Sequence, residues 1–314
     1  MLLKNINKLK ESMSRVVIGK EEVTELMLVG LLSEGHILIE DVPGVGKTLM
    51  AKTLAALLNC QFKRIQFTPD LTPTDITGFF IYDRRTNDFI FRPGPVLTNI
   101  LLADEINRTV PRTQSSLLEA MEERQITVDG QTFSLPKPFL VLSTQNPIEQ
   151  EGTFLLPEAQ LDRFLLKISI GYPTAGEEEK ILLTHGKENP LMNLEPVLTI
   201  DEILTWQDMS RQVEVHSSIQ EYIVALVRAS RNHQRVALGA SPRAALALFK
   251  ASRAFALLRG RQYVIPDDVK YLAEPVLTHR IILKREDHLR GFNANSIIAD
   301  ILNTVAAPVV EGES

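Results

Sequence analysis

The chain of 314 residues has one cysteine, Cys60. A single thiol excludes a disulfide framework and any cysteine-built metal cluster. Cys60 follows Leu57, Leu58 and Asn59 in a helix-like run, which predicts a buried, unreactive thiol. Long apolar stretches are also missing, and no unbroken run approaches the roughly 18 residues a spanning helix needs. The first eight residues, Met1 to Lys8, hold no apolar core and no small-residue cleavage site, so the expected location is the cytoplasm. The match Asn107-Arg108-Thr109 to a glycosylation pattern then has no meaning. Basic excess is absent: 34 Lys and Arg stand against 39 Asp and Glu, a formal net charge of −5. That excludes the charge footprint of a duplex nucleic-acid binder. The histidines, His36, His185, His216, His233, His279 and His288, are scattered and form no H-E-x-x-H pattern, so they read as structural. The lone tryptophan, Trp206, reads as core.

What is present fits about two domains with a sizeable core. Up to about Tyr172 and Pro173, short apolar runs alternate with helical patterns; beyond them nearly everything has helical periodicity. Strands are expected at residues 36–40, 62–67, 100–104, 139–144 and 164–169. Three of these are almost continuously apolar and bounded by turn residues, as strands covered on both faces should be. Helical segments separate them, notably 47–58 and 114–124. The alternation predicts an α/β fold, a parallel sheet with helices on both faces. Two hairpins interrupt it: residues 126–133 alternate around Asp129-Gly130, and residues 79–91 carry a longer polar tip. The second half is expected to hold four to six helices. Their starts are marked by capping boxes at Thr174 and Thr199, by Ser241-Pro242, and by Pro266-Asp267-Asp268 in a first turn. The expected division is 1–172 and 173–314, with a disordered tail Glu311-Gly312-Glu313-Ser314.

Directly after the first strand comes Asp41-Val42-Pro43-Gly44-Val45-Gly46-Lys47-Thr48, then a helical run from Leu49. This is G-x-x-x-x-G-K-[ST] in its strand–loop–helix setting, except that Asp41 stands where the first glycine belongs. Glycines let backbone N–H groups turn inward around phosphate oxygens, and the helix N-terminus adds partial positive charge. Lys47 would reach the β- and γ-phosphates and the Thr48 hydroxyl would bind Mg2+. An acid at position 41 weakens such a site unless its side chain points away.

The apolar run Ile100-Leu101-Leu102-Ala103 ends in Asp104 and Glu105. Ligands in open α/β sheets sit at the carboxyl ends of the strands. Asp104 would hold Mg2+ through water, and Glu105 would align the attacking water. The run 139–144 leads to Gln145, Asn146 and Pro147, where a carboxamide can bond the γ-phosphate or the water. Ser134-Leu135-Pro136-Lys137 spells S-x-x-K, but its proline breaks the helix that motif needs.

At these residues the chain resembles the AAA+ ATPases, and within them the MoxR family, in the group with an extra hairpin in the second helix. The resemblance runs from Val17-Ile18-Gly19 through the 40–48 loop, Asp104-Glu105-Ile106-Asn107-Arg108, the segment 114–123 and Leu161-Asp162-Arg163-Phe164 to Gly239-Ala240-Ser241-Pro242-Arg243. It implies a P-loop nucleotide-binding core and an all-α lid that work on ATP and ADP with Mg2+. Ile18 and Gly19 match adenine-side contacts, and Pro43, Gly44, Val45, Gly46, Lys47, Thr48 and Leu49 match the phosphate loop. Asn146 matches sensor 1. Arg163 matches an arginine finger offered to the neighbouring subunit. Arg243 matches sensor 2, with the choice between its own and a neighbour's nucleotide open. Arg108 and Arg112 flank the expected subunit edge. The family implies a hexameric ring, a separate partner carrying a von Willebrand factor A domain, and a protein client touched by the two hairpins. Two rival readings are a nucleic-acid motor contacting through Arg84-Arg85, and a nucleotide-gated scaffold without turnover. The acidic charge opposes the first and the Asp104–Glu105 pair opposes the second.

Overall fold

The computed structural model describes residues 2–147, 152–186 and 190–308, so the tail 311–314 lies outside the described residues. In chain order the core runs α1 (Leu2–Ser14), α2 (Glu21–Leu32), β1 (Ile37–Glu40), α3 (Lys47–Leu57), β2 (Phe62–Gln66), α4 (Pro73–Thr77), β3 (Gly78–Asp83), β4 (Asp88–Pro93) and β5 (Ile100–Asp104). It continues with α5 (Pro111–Glu123), β6 (Gln125–Val128), β7 (Gln131–Ser134), β8 (Leu140–Gln145), α6 (Glu158–Leu161) and β9 (Leu166–Ile168). Five strands form one parallel sheet in the order β2-β5-β8-β1-β9.

Period-two alternation splits the apolar strand residues between two cores. Ile37, Ile39, Ile100, Leu102, Leu140 and Leu142 pack with α1, α2, α3 and the later helices. Leu38, Leu101, Ala103 and Val141 face the opposite way, onto α5 and the hairpins. His36, just ahead of β1, is buried: Nδ1 accepts the Val141 N–H at 3.0 Å and Nε2 faces the Met121 carbonyl at 3.1 Å. Cys60 is half-buried, and desolvation pushes its thiol up to about 12, in line with an unreactive side chain.

Both hairpins form. Asp129 and Gly130 take φ of 47° and 80°, the paired positive angles of a tight hairpin turn. β3 and β4 pair with Phe80 opposite Phe91. Phe91 stacks on Phe133 of the second hairpin with centroids 4.1 Å apart, and Phe80 lies 6.4 Å from the same ring, so an aromatic cluster couples the two.

The second half comprises α7 (Ala175–His185), α8 (Ile200–Gln212), α9 (Ser217–Asn232), β10 (Val236–Leu238), α10 (Pro242–Leu258), α11 (Pro266–Leu277), β11 (Ile282–Leu283), α12 (Arg285–Leu289) and α13 (Ala294–Thr304). Among the described residues this is seven α-helices, more than the four to six expected. The short α12 has too few residues to show a period. A small antiparallel pair, β10 with β11, also ties the bundle together. The capping boxes at Thr174 and Thr199 and the Ser241 cap are all made. No helix among the described residues is long and apolar enough to cross a membrane.

The two halves are locked at Asp162. Its carboxylate accepts from buried Arg280 at 2.6 Å and from the Ser241 hydroxyl at 2.7 Å. Arg280 also donates to the Phe164 and Leu165 carbonyls.

Candidate functional site

Because the five strands are parallel, residues that follow a strand lie at one end of the sheet and residues that precede one lie at the other. The first end gathers the 41–48 loop after β1, Gln66 closing β2, Asp104 closing β5 with Glu105 just after it, and Asn146 after β8. Gly44 and Gly46 have φ of 89° and 90°, and a Cβ built on either meets nothing within 4 Å. Backbone angle, not crowding, therefore demands glycine there. Gly46 caps α3, so the first-turn amides of Lys47, Thr48 and Leu49 lack intrahelical acceptors and face the loop. Pro43, Val45 and the two glycines complete an open cradle. Lys47 Nζ rests 2.7 Å from the Asp41 carbonyl oxygen. Burial lowers its pKa, opposed by the nearby charges of Asp104, Asp41 and Glu105.

The Asp41 side chain does point away from the loop. One carboxylate oxygen accepts from the Ile170 N–H at 2.6 Å, the Gly171 N–H at 2.7 Å and the Ser169 hydroxyl at 3.1 Å, and the other accepts from the Val42 N–H at 2.8 Å. It clamps the loop entrance to the segment that leads from β9 into α7.

Asp104 and Glu105 are both engaged. Thr144 on β8 joins them, donating its hydroxyl to Asp104 at 2.6 Å and accepting the Glu105 N–H at 2.9 Å. Arg64 on β2 reaches Asp104 at 2.6 Å. Gln66 Nε2 donates to Glu105 at 2.6 Å, and Arg108 Nε stands 3.1 Å from the same oxygen. Glu105 has φ of 57°, a left-handed conformation uncommon for a non-glycine residue. Asn146 is buried at the exit of β8. Arg112 lies exposed on the first turn of α5. The segment expected beside adenine, Ile18 and Gly19, sits under α7: a Cβ at Gly19 would collide with Glu177 at 1.7 Å, and Lys20 donates to the Tyr172 carbonyl at 3.2 Å.

Arg163 and Arg243 lie at the other end. Leu165, two residues past Arg163, donates to the carbonyl of His36 just ahead of β1. The bond between Ser241 and Asp162 brings Arg243 alongside Arg163, and both pair with Glu122. They line a cavity of about 700 Å³ to which no residue of the 41–48 loop contributes. Lys47 is separated from them by the length of β1, about 13 Å for four residues.

Four contributors escape a reading of motifs. Arg64 and Gln66 could be found only from strand register, since Gln66 pairs with Asp104 across β2 and β5. Thr144 and Glu122 sit in otherwise ordinary strand and helix patterns, and only the tertiary contact reveals them.

The donor set suits a nucleotide with a hard cation. A glycine cradle of free amides with an adjacent ammonium accepts phosphate oxygens. The hydroxyl of Thr48 and the carboxylate of Asp104 are oxygen donors of the kind Mg2+ takes alongside substrate phosphates. Among the described residues no group of three or more His, Cys, Asp or Glu stands close enough to hold a metal ion.

Comparison with known proteins places the chain in a family. Residues 36–166 match the family described as ATPase family associated with various cellular activities (AAA), and residues 228–301 match the AAA lid domain. The chain is 51% identical to the uncharacterised protein YeaC of Bacillus subtilis, covering 97% of this chain and 95% of that one. It is 46% identical to Chaperone MoxR1 of Mycobacterium tuberculosis over 94% of this chain and 80% of that one. It is 31% identical to Protein MoxR of Paracoccus denitrificans, covering 87% of each. The crystal structure of a chain described as a candidate ATPase from Cytophaga hutchinsonii superimposes with a TM-score of 0.93 at 38% identity, covering 98% of this chain and 96% of that one. With the phosphate loop, the acidic strand end and the helical lid in one fold, the chain belongs to the MoxR family of AAA+ ATPases.

Proposed function

We propose that this protein hydrolyses ATP at sites shared between adjoining copies of itself and uses the resulting motion to remodel or assemble a protein client. The observation that carries the reading is the placement of the two half-sites at opposite ends of one parallel sheet. The loop, Asp104 and Glu105 lie at the end where strands finish, and Arg163 and Arg243 at the end where they start. Arg163, just ahead of β9, therefore cannot reach its own phosphates without unpairing β9 from β1, and Arg243 is held at the same end by the Ser241–Asp162 bond and by Glu122. A head-to-tail contact between copies joins the two halves, and such contacts close into rings when the rotation permits. Six subunits is the ring size the family resemblance implies. This reading assigns both Arg163 and Arg243 to the neighbour's nucleotide.

Within a joined site, Lys47 and the first amides of α3 neutralise charge on the β- and γ-oxygens. Glu105, once released from Gln66 and Arg108, aligns water, with Asn146 beside it at the end of β8. Thr48 and Asp104 would hold Mg2+, which would supply charge neutralisation at the phosphates. Arg163 stabilises charge that develops in the transition state, an effect worth roughly 10³–10⁵ in rate. Residues 1–172 act as the nucleotide-binding domain and 173–314 as the lid, with the Asp41 clamp at their junction. The hairpin of β3 and β4 exposes Phe79, Tyr82 and Phe89, an apolar surface suited to a protein client. A separate von Willebrand factor A-domain protein and a cytoplasmic setting belong to the same reading.

The test mixes inactive subunits. Arg163→Ala and Glu105→Gln proteins should each lose turnover, and their mixture should regain part of it, because some interfaces pair an intact loop with an intact arginine. No recovery at any ratio sinks the shared-site reading.

A further inference from the structure

Two guanidinium groups converge on one carboxylate. Arg163 Nη1 lies 3.0 Å from Glu122 Oε2, and Arg243 Nη2 lies 2.6 Å from Glu122 Oε1. Each oxygen serves a different arginine, one from each half of the chain. The cavity they border is strongly cationic for a chain of net charge −5: among its lining residues cations outnumber acids seven to three. The other two acids are committed to other cations of the cavity, Asp162 to Arg280 and Glu34 to Arg211. Glu122 is thus the acid that keeps two like charges side by side, against a repulsion that would otherwise part them.

We infer that Glu122 is a stand-in for phosphate. In the solitary subunit its two oxygens hold Arg163 and Arg243 as one preorganised pair. The terminal phosphate of a nucleotide carried by an adjoining copy displaces it. This rests on the reading of both arginines as acting on a neighbour. A terminal phosphate brings more charge and more acceptor oxygens than a carboxylate, so it competes successfully for the same donors. The pair arrives already oriented, which is the condition for charge stabilisation without reorganisation. The side chain of Glu122 is about one-third exposed, so it can swing aside without unpacking α5.

The experiment removes the loop site first. In a Lys47→Ala background, isolated subunits are titrated with inorganic tripolyphosphate and binding is followed by calorimetry. Adding Glu122→Gln should tighten tripolyphosphate binding by about threefold to tenfold, the scale expected for relief of two partly exposed charge pairs. Glu122→Ala should do the same, which guards against a peculiarity of the amide. Replacing Arg163 and Arg243 by alanine in either variant should abolish the gain. Unchanged affinity in both Glu122 variants overturns the inference, as does a gain that survives loss of both arginines. The titration depends on neither assembly nor hydrolysis. Failure of the shared-site reading would instead appear in the mixing of Arg163→Ala with Glu105→Gln subunits.

Discussion

Asp41 occupies the place where the phosphate-loop pattern has a glycine, so Asp41→Gly restores the pattern and tests what the residue does. Pattern alone predicts a neutral or improved nucleotide site. The structure predicts damage. The carboxylate accepts four hydrogen bonds, three of them from Ser169, Ile170 and Gly171 in the segment leading to the lid. Ile170 is only 5% exposed, so its N–H has no ready access to water once the acceptor is gone. A stranded buried donor costs about 1–3 kcal/mol. The partly wetted donors add a smaller amount, and glycine adds about 0.5–1 kcal/mol of backbone entropy. Together the loss should be about 2–5 kcal/mol. Asp41→Asn keeps one acceptor oxygen but turns an NH₂ toward N–H groups, and should lose about 2 kcal/mol. Urea unfolding measures the totals. Amide exchange at Ile170 and Gly171 should accelerate in both variants, and nucleotide affinity should fall as the loop entrance loosens. If Asp41→Gly matches the parent in stability and binds ATP more tightly, the clamp is an incidental contact and the reasoning is wrong.

Two other outcomes follow from the same geometry. Gln66→Ala frees Glu105 from one restraint while Arg108 remains, so turnover should rise about twofold to fivefold with KM unchanged, on the scale of one net hydrogen bond; a fall in kcat would mean that Gln66 orients the carboxylate rather than detaining it. His36 and His279 are buried, with burial first and neighbouring Arg124 and Arg280 second holding both well below the ordinary histidine value. Below about pH 6.5 the unfolded chain takes up a proton at each and the folded chain does not, so stability falls as pH falls. Urea midpoints should therefore fall steadily from pH 7.5 to 5.5; a flat profile contradicts it.

The phosphate loop and the acidic strand end were legible in sequence because their chemistry is local. Glycines at 44 and 46 answer to backbone angles, Lys47 and Thr48 to the first turn of one helix, and Asp104 and Glu105 to the exit of one apolar strand. Strand order was not legible, because three nearly uniform apolar strands carry no mark of which neighbour each will take. Helix number in the second half was underread for a related reason, since a five-residue helix shows no periodicity.

The amino-acid sequence by itself determined that a glycine-rich loop of phosphate-binding pattern follows the first strand of a parallel α/β core and that a helical lid follows. It determined this through periodicity, caps and turn residues, each a matter of a few neighbouring positions. Only the tertiary structure decided that Asp41 faces the lid junction and that Gln66 and Arg108 hold Glu105. It alone brought Arg163 and Arg243 to one carboxylate at the far end of the sheet. Apart from the short step between Glu105 and Arg108, those contacts join residues 39 to 130 positions apart, and the direction of a side chain over such separations is set by packing rather than by the chain's local preferences.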